Sequence, residues 1–254
     1  MILGFIGTGK ITSSIICGLL NSKLKTKRIY ISSRNKNIAK KLERKSRSIK
    51  ILKNNQEIVN RSSILFLAVT PIVANKILPK LKFKKNKKII SLISTINLKK
   101  LKRITKSNYI IRAIPLPPVE INKGPIVICP PNNQAKRIFN HIGTVIEIKN
   151  ENLSFKFWST ASLMAAYYEI LNVSSNWLIK KGIKKNIANN YISELFLSLS
   201  IDAANKKKKG FKKLVEDSQT PKGLNMEVLK GLKKKKFYLK WINSLDQVNK
   251  RVSK

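Results

Sequence analysis

The chain opens Met1-Ile2-Leu3-Gly4-Phe5-Ile6-Gly7-Thr8-Gly9-Lys10-Ile11-Thr12, and this stretch decides the fold. The apolar run Ile2–Ile6 reads as a buried strand, Gly7 to Gly9 as a tight turn, and Ile11–Leu20 as a helix with apolar residues at helical spacing. Strand, glycine turn and helix together form a pyrophosphate cradle. Gly7 allows the turn, Gly9 lets backbone amides approach the anion, and the helix N-terminus supplies partial positive charge. The residues expected to meet a dinucleotide here are Gly7, Thr8, Gly9, Lys10 and Ile11. Thr12 stands where a third glycine or alanine usually lets helix and strand pack closely, so slightly looser packing is expected.

Outward from this unit, β-branched runs recur at Arg28–Ser32, Ile49–Leu52, Ile64–Ala68, Ile89–Leu92, Ile110–Ala113, Ile126–Cys129 and Val145–Ile148. Helical patterns at Ile38–Lys45 and Val73–Leu78 separate some of them. Strand alternating with helix predicts a parallel sheet wrapped by crossover helices, an α/β fold of Rossmann-like type. After Glu151 the strand signal disappears. Leu153–Ile179, Ile187–Ala204, Phe211–Asp217, Asn225–Leu232 and Phe237–Val248 read as helices. Two domains are expected, a Rossmann-like dinucleotide domain over 1–150 and an all-α domain over 151–254. The 153–179 helix is apolar most of the way round, which predicts burial on several sides, by its own domain or by another subunit.

The 254 residues carry 53 Lys and Arg against 12 Asp and Glu, a net charge of +41. Such a charge would favour nucleic acid or an anionic membrane. The lysines are dispersed, however, and joined by abundant Ile and Asn, as compositional drift alone would produce; no aromatic stacking platform accompanies them. No specific nucleic-acid partner is therefore expected. Cys17 and Cys129 lie too far apart in sequence for a zinc ribbon, and no metal site is expected. No segment of about 20 uncharged apolar residues exists to span a bilayer, and nothing at the N-terminus resembles an export signal. The expectation is a cytoplasmic protein.

The second strand ends in Ser32-Ser33-Arg34-Asn35, where an NAD-specific fold would place a carboxylate on the ribose 2′-hydroxyl. None is present. Ser33 and Arg34 can instead receive a 2′-phosphate, which favours NADP(H).

With these residues in hand, the chain resembles the pyrroline-5-carboxylate reductase family over essentially its whole length. Gly4 to Ile11 is similar to that family's first strand and turn, and Ile64 to Pro71 to its fourth strand and the Ala-Val-Lys-Pro that follows, with Thr70 for the Lys. Ile111-Arg112-Ala113-Ile114-Pro115-Leu116-Pro117-Pro118 resembles its Arg-x-Met-Pro-Asn-Thr-Pro segment, and Asp217 to Asn225 its Ser-Pro-Gly-Gly-Thr-Thr loop. The resemblance adds Ala68, Val69, Pro71 and Pro115 to the expected cofactor contacts. The departures gather on the substrate side: Leu116 replaces Asn, Leu224 and Asn225 replace paired Thr residues, and Met164-Ala165-Ala166-Tyr167 stands for Gly-Pro-Ala-Tyr.

The activity the resemblance implies is NADPH-dependent reduction of the C=N bond of a small cyclic imino acid, in a homodimer or larger assembly with helical-domain contacts. A protonated imine is already electrophilic, so a side-chain acid is not required, and the single histidine, His141, is expected to be idle. Thr220 and Asn225 are the expected anchors for a substrate carboxylate, at a helix N-terminus where Thr220-Pro221 reads as N-cap and first helical residue and Lys222 adds a charge. Tyr167, with Ser162 and Glu169, is expected on the buried helix, and Tyr167 is the third candidate catalytic residue, facing the cleft. The rival expectations are another imine, carbonyl or deazaflavin substrate, and a cofactor-sensing module without catalysis.

Overall fold

A computed structural model describes residues 1–253. Eight strands form one sheet: β1 (Ile2–Ile6), β2 (Arg28–Ser32), β3 (Ile49–Leu52), β4 (Ile64–Leu67), β5 (Lys88–Ser91), β6 (Tyr109–Ile114), β7 (Pro125–Cys129) and β8 (Thr144–Glu147). Their order is β3-β2-β1-β4-β5-β6-β7-β8. From β3 through β6 every pairing is parallel. The expected parallel sheet is present, with one exception at β7, which pairs antiparallel with β6 and parallel with β8. A 3-10 turn at Pro117–Ile121 stands in place of a crossover helix, and a chain that reverses over so short a connection enters the sheet antiparallel.

The crossover helices of this part are α1 (Lys10–Leu20), α2 (Lys36–Lys45), α3 (Asn55–Arg61), α4 (Pro71–Ile77), α5 (Leu98–Thr105) and α6 (Asn133–Phe139). With helices on both faces, the strands bury both their sides and read as continuous apolar runs. One core joins Phe5, Phe66, Ile31 and Ile90 to Ile15, Ile16 and Phe139; the other joins Leu65, Leu67 and Ile89 to Ile58, Ala74 and Leu101. Four helices start on asparagine. Asn35, Asn54, Asn97 and Asn132 each accept a backbone amide through the side chain, from Ile38, Gln56, Lys100 and Ala135, satisfying a donor the helix cannot satisfy itself.

The chain divides into two compact units, one of Met1–Trp158 with the residues from Asn249 onward, the other Ser159–Val248. The remaining helices are α7 (Glu151–Ala161), α8 (Met164–Lys180), α9 (Lys185–Lys206), α10 (Phe211–Asp217), α11 (Leu224–Lys234) and α12 (Phe237–Val252). The single helix expected over 153–179 is thus two. Ser162 donates its hydroxyl to the Ser159 carbonyl at 2.6 Å, and the Ser162 and Leu163 amides bond three residues back. These bonds compete with the regular ladder. Nor is the second stretch buried by its own chain: Tyr168 is 53% exposed and Trp177 60% exposed.

Candidate dinucleotide-binding site

The order of the strands reverses between β1 and β4, and in open α/β sheets ligands bind beyond the carboxyl ends of the strands at that crevice. Gly7 ends β1 there with a φ of 101°, and a Cβ at this position would lie 2.2 Å from the Ala68 carbonyl oxygen. Only glycine fits. Gly9 is different: its φ of −101° suits any residue, and a Cβ there would meet nothing within 4 Å. Neither backbone nor packing requires glycine at position 9. Its missing side chain keeps space open over the first turn of α1, which has no side-chain cap and no acidic residue.

That space is a cavity of about 590 Å³ lined by Gly7, Thr8, Gly9, Arg34, Asn35, Lys36, Asn37, Ala68, Val69 and Thr70. A second cavity of about 480 Å³ adjoins it through Gly7, Arg34 and Val69; Ile6, Ile72, Val73 and Ile77 supply apolar walls and Lys76 a further cation. Six of the expected cofactor residues, Gly7, Thr8, Gly9, Arg34, Ala68 and Val69, therefore line one cavity. Lys10 is exposed beside it and Ile11 half-buried, at the start of α1; Ser33 is half-buried next to Arg34; Pro71 opens α4. Pro115 is buried beyond the end of β6. The side chain that sequence reasoning missed is Lys36, which lines the cavity as the first residue of α2. In so basic a chain, one more lysine carries no signal until the turn places it.

The hydroxyls around the turn are spent on holding it. Thr8 Oγ1 donates to the Ser32 carbonyl at 2.6 Å, and Ser32 Oγ accepts the Gly7 amide at 3.0 Å. Thr8 is buried, so what it offers an anion is its backbone amide. Thr12 corrects the expectation of loose packing. It is fully buried, and its hydroxyl donates to the Gly7 carbonyl at 2.7 Å, closing the turn from inside. The close approach comes nearly two turns later, at Gly18, where a Cβ would lie 2.1 Å from the Val119 carbonyl oxygen.

In the second unit, Tyr167 lies on α8, 38% exposed, with its ring against Phe196. The expected buried setting for it is therefore not found. Thr220 and Asn225 flank the turn between α10 and α11, both exposed. The capping residue of α11 is Gly223 rather than Thr220, and it provides no side-chain bond. Lys222 holds a left-handed φ of 59°, a conformation that suits the glycine of the similar loop. Asn225 Nδ2 donates to the Ser218 carbonyl at 2.9 Å, bracing the loop. Glu227 brings a negative charge into the first turn of α11, where it opposes a bound anion. His141 follows the end of α6, in the first unit.

Among the described residues no cluster of His, Cys, Asp and Glu suits a metal ion, and no helix is long and apolar enough to cross a membrane.

Comparison with known proteins gives two concordant results. Residues 2–97 match the family described as NADP oxidoreductase, coenzyme F420-dependent, a match that ends at the cap of α5 and so concerns the dinucleotide half. Pyrroline-5-carboxylate reductase of Synechocystis sp. is 29% identical over 59% of this chain, and the matched stretch spans 59% of that relative's own length. The Pisum sativum enzyme of the same name is 24% identical over 98% of this chain and 94% of its own. In fold, the Plasmodium falciparum pyrroline carboxylate reductase, solved with NADP bound, superposes with a TM-score of 0.86 at 21% identity, over 100% of this chain and 97% of that one. The sequence likeness thus runs through both units and the fold likeness runs the length of the chain, and in both respects the chain is similar to pyrroline-5-carboxylate reductases.

Proposed function

We propose that the protein is an NADPH-dependent reductase of a small cyclic imino acid, with pyrroline-5-carboxylate the first candidate. The observation that carries the proposal is Gly9, a glycine that neither backbone nor packing requires, set beside a cavity with Arg34 and Lys36 and without a carboxylate in its lining. The names of the relatives supply the substrate class. The residues present fit the dinucleotide: the amides of Thr8 to Ile11, beyond the Gly7 turn, would meet its pyrophosphate, Ser33, Arg34 and Lys36 its 2′-phosphate, and Ala68, Val69, Pro71 and Pro115 its nicotinamide end. When bound, NADPH supplies the hydride. The protein's part is to orient, and an imine that arrives protonated needs no side-chain acid.

Thr220, Asn225 and the free amides at the start of α11 are proposed to hold the substrate carboxylate, with Lys222 adding charge and Tyr167 shaping the pocket. A second copy of the chain is the proposed partner. Leu197, Leu199 and Ile201 on α9, and Leu224 and Val228 on α11, are more than half exposed, apolar surface that a second copy would cover. The test is NADPH consumption with a panel of cyclic imines carrying and lacking a carboxylate. Turnover restricted to carboxylated imines supports the reading; none with any imine rejects it.

A further inference from the structure

Arg112, near the end of β6, is completely buried and among the largest side chains so enclosed. Its Nη1 donates to the carbonyls of Ile93 and Ser94 at 2.8 and 3.0 Å, and its Nη2 to the Ile96 carbonyl at 2.8 Å and to Glu151 Oε1 at 2.7 Å. The Phe155 ring lies 5.2 Å from its Cζ. Glu151 Oε1 also accepts the Leu98 amide at 2.8 Å, at the start of α5. One guanidinium thus gathers three carbonyls of the β5–α5 loop, and its carboxylate partner fixes the loop's far end. Taking a cation out of water is costly, and an apolar side chain would fill the same volume. A planar fork with several donors is what this loop uses and an apolar residue lacks.

The loop stands in a telling place. Its first amide, Leu92, donates to the Leu67 carbonyl at 2.9 Å, so it runs beside Ala68 and Val69, which line the large cavity. On its other side β6 runs on to Pro115. Ile93 and Ile96 are buried while Thr95 is exposed and Ser94 half-exposed, leaving Ser94 and Thr95 as the loop's outer tip. We propose that Arg112 is a positioning residue: by holding the three carbonyls it sets the Ser94-Thr95 tip as the support against which the nicotinamide ring of NADPH rests. The proposal deepens the reductase reading and depends on it.

The experiment uses the full chain, NADPH fluorescence and steady-state kinetics. Arg112→Lys keeps the charge but has a point donor in place of the fork. NADPH affinity is expected to stay within about threefold, because the pyrophosphate and 2′-phosphate anchors are untouched. The enhanced, blue-shifted emission of the bound nicotinamide is expected to fall toward that of free NADPH, and kcat to drop on the order of 10- to 100-fold with KM little changed. Thr95→Phe, which leaves every Arg112 contact in place, must alter the emission too and serves if Arg112→Lys fails to fold. Wild-type emission in either folded variant overturns the proposal. A wild-type chain that binds no NADPH overturns both readings; one that binds NADPH and reduces no imine sinks the substrate assignment alone, and the emission contrast still decides the role of Arg112.

Discussion

Thr8 and Ser32 hold the ends of two neighbouring strands together: Thr8 Oγ1 donates to the Ser32 carbonyl at 2.6 Å while Ser32 Oγ accepts the amide of Gly7. The pyrophosphate turn and the end of β2, where a 2′-phosphate would lie, are thereby one rigid piece. Ser32→Ala leaves the buried Gly7 amide without its acceptor and is expected to cost about 1–3 kcal/mol. Urea unfolding should show a lower midpoint at an unchanged slope.

The two glycines of the turn should fail in different ways. Gly7→Ala places a Cβ on the Ala68 carbonyl at a positive φ, so it should lower the melting temperature of the free protein. A Cβ at Gly9 meets no neighbour, so Gly9→Val should melt near the wild-type temperature yet bind no measurable NADPH by fluorescence titration.

Arg34→Ala should collapse the preference for NADPH over NADH. Losing a charge-assisted bond worth about 1.5–3 kcal/mol weakens NADPH binding roughly ten- to hundredfold. NADH affinity should be unchanged, and equal wild-type affinity for the two nucleotides would reject the assignment of Ser33 and Arg34.

Thr220→Val and Asn225→Ala should each lower kcat/KM for a carboxylated imine by tens of fold, about 1.5–3 kcal/mol of lost carboxylate contact, with NADPH affinity nearly constant. His141→Ala should leave turnover as it is. An inactive His141→Ala beside fully active loop variants would defeat a mechanism without a side-chain acid.

Light scattering of the wild-type chain at micromolar concentration should give a dimer or a larger assembly. Val228→Glu on the exposed face of α11 should shift it toward monomer; a strict wild-type monomer would remove the second copy from the proposal.

All eight strands were legible as apolar runs to within one residue at each end, because a sheet covered on both faces leaves no alternation to confuse the pattern. Helices α3 and α5 give no periodic signal. Asn55–Arg61 is short, and Leu98–Thr105 carries four basic residues in eight. Their asparagine caps were the available signal. At the site, the turn and Arg34 could be read because each rests on local spacing. The service of Thr12 to Gly7, the grip of Arg112 on residues 93–96 and the place of Lys36 depend on tertiary neighbours, which spacing does not encode. The apolar 153–179 stretch was correctly seen as helical, but where its apolar surface goes is a property of assembly.

The asparagines that open α2, α3, α5 and α6 also bear on how such a skewed composition is tolerated. Ile is at home in strands buried on both faces, Lys on a solvated surface, and Asn is among the best residues for starting a helix. A composition rich in these three types is therefore compatible with this architecture, because its positions accept them. At Gly7 and Gly18, where a Cβ would collide with a backbone carbonyl, and at Arg112, where one guanidinium serves three carbonyls, local geometry rather than overall composition sets the residue.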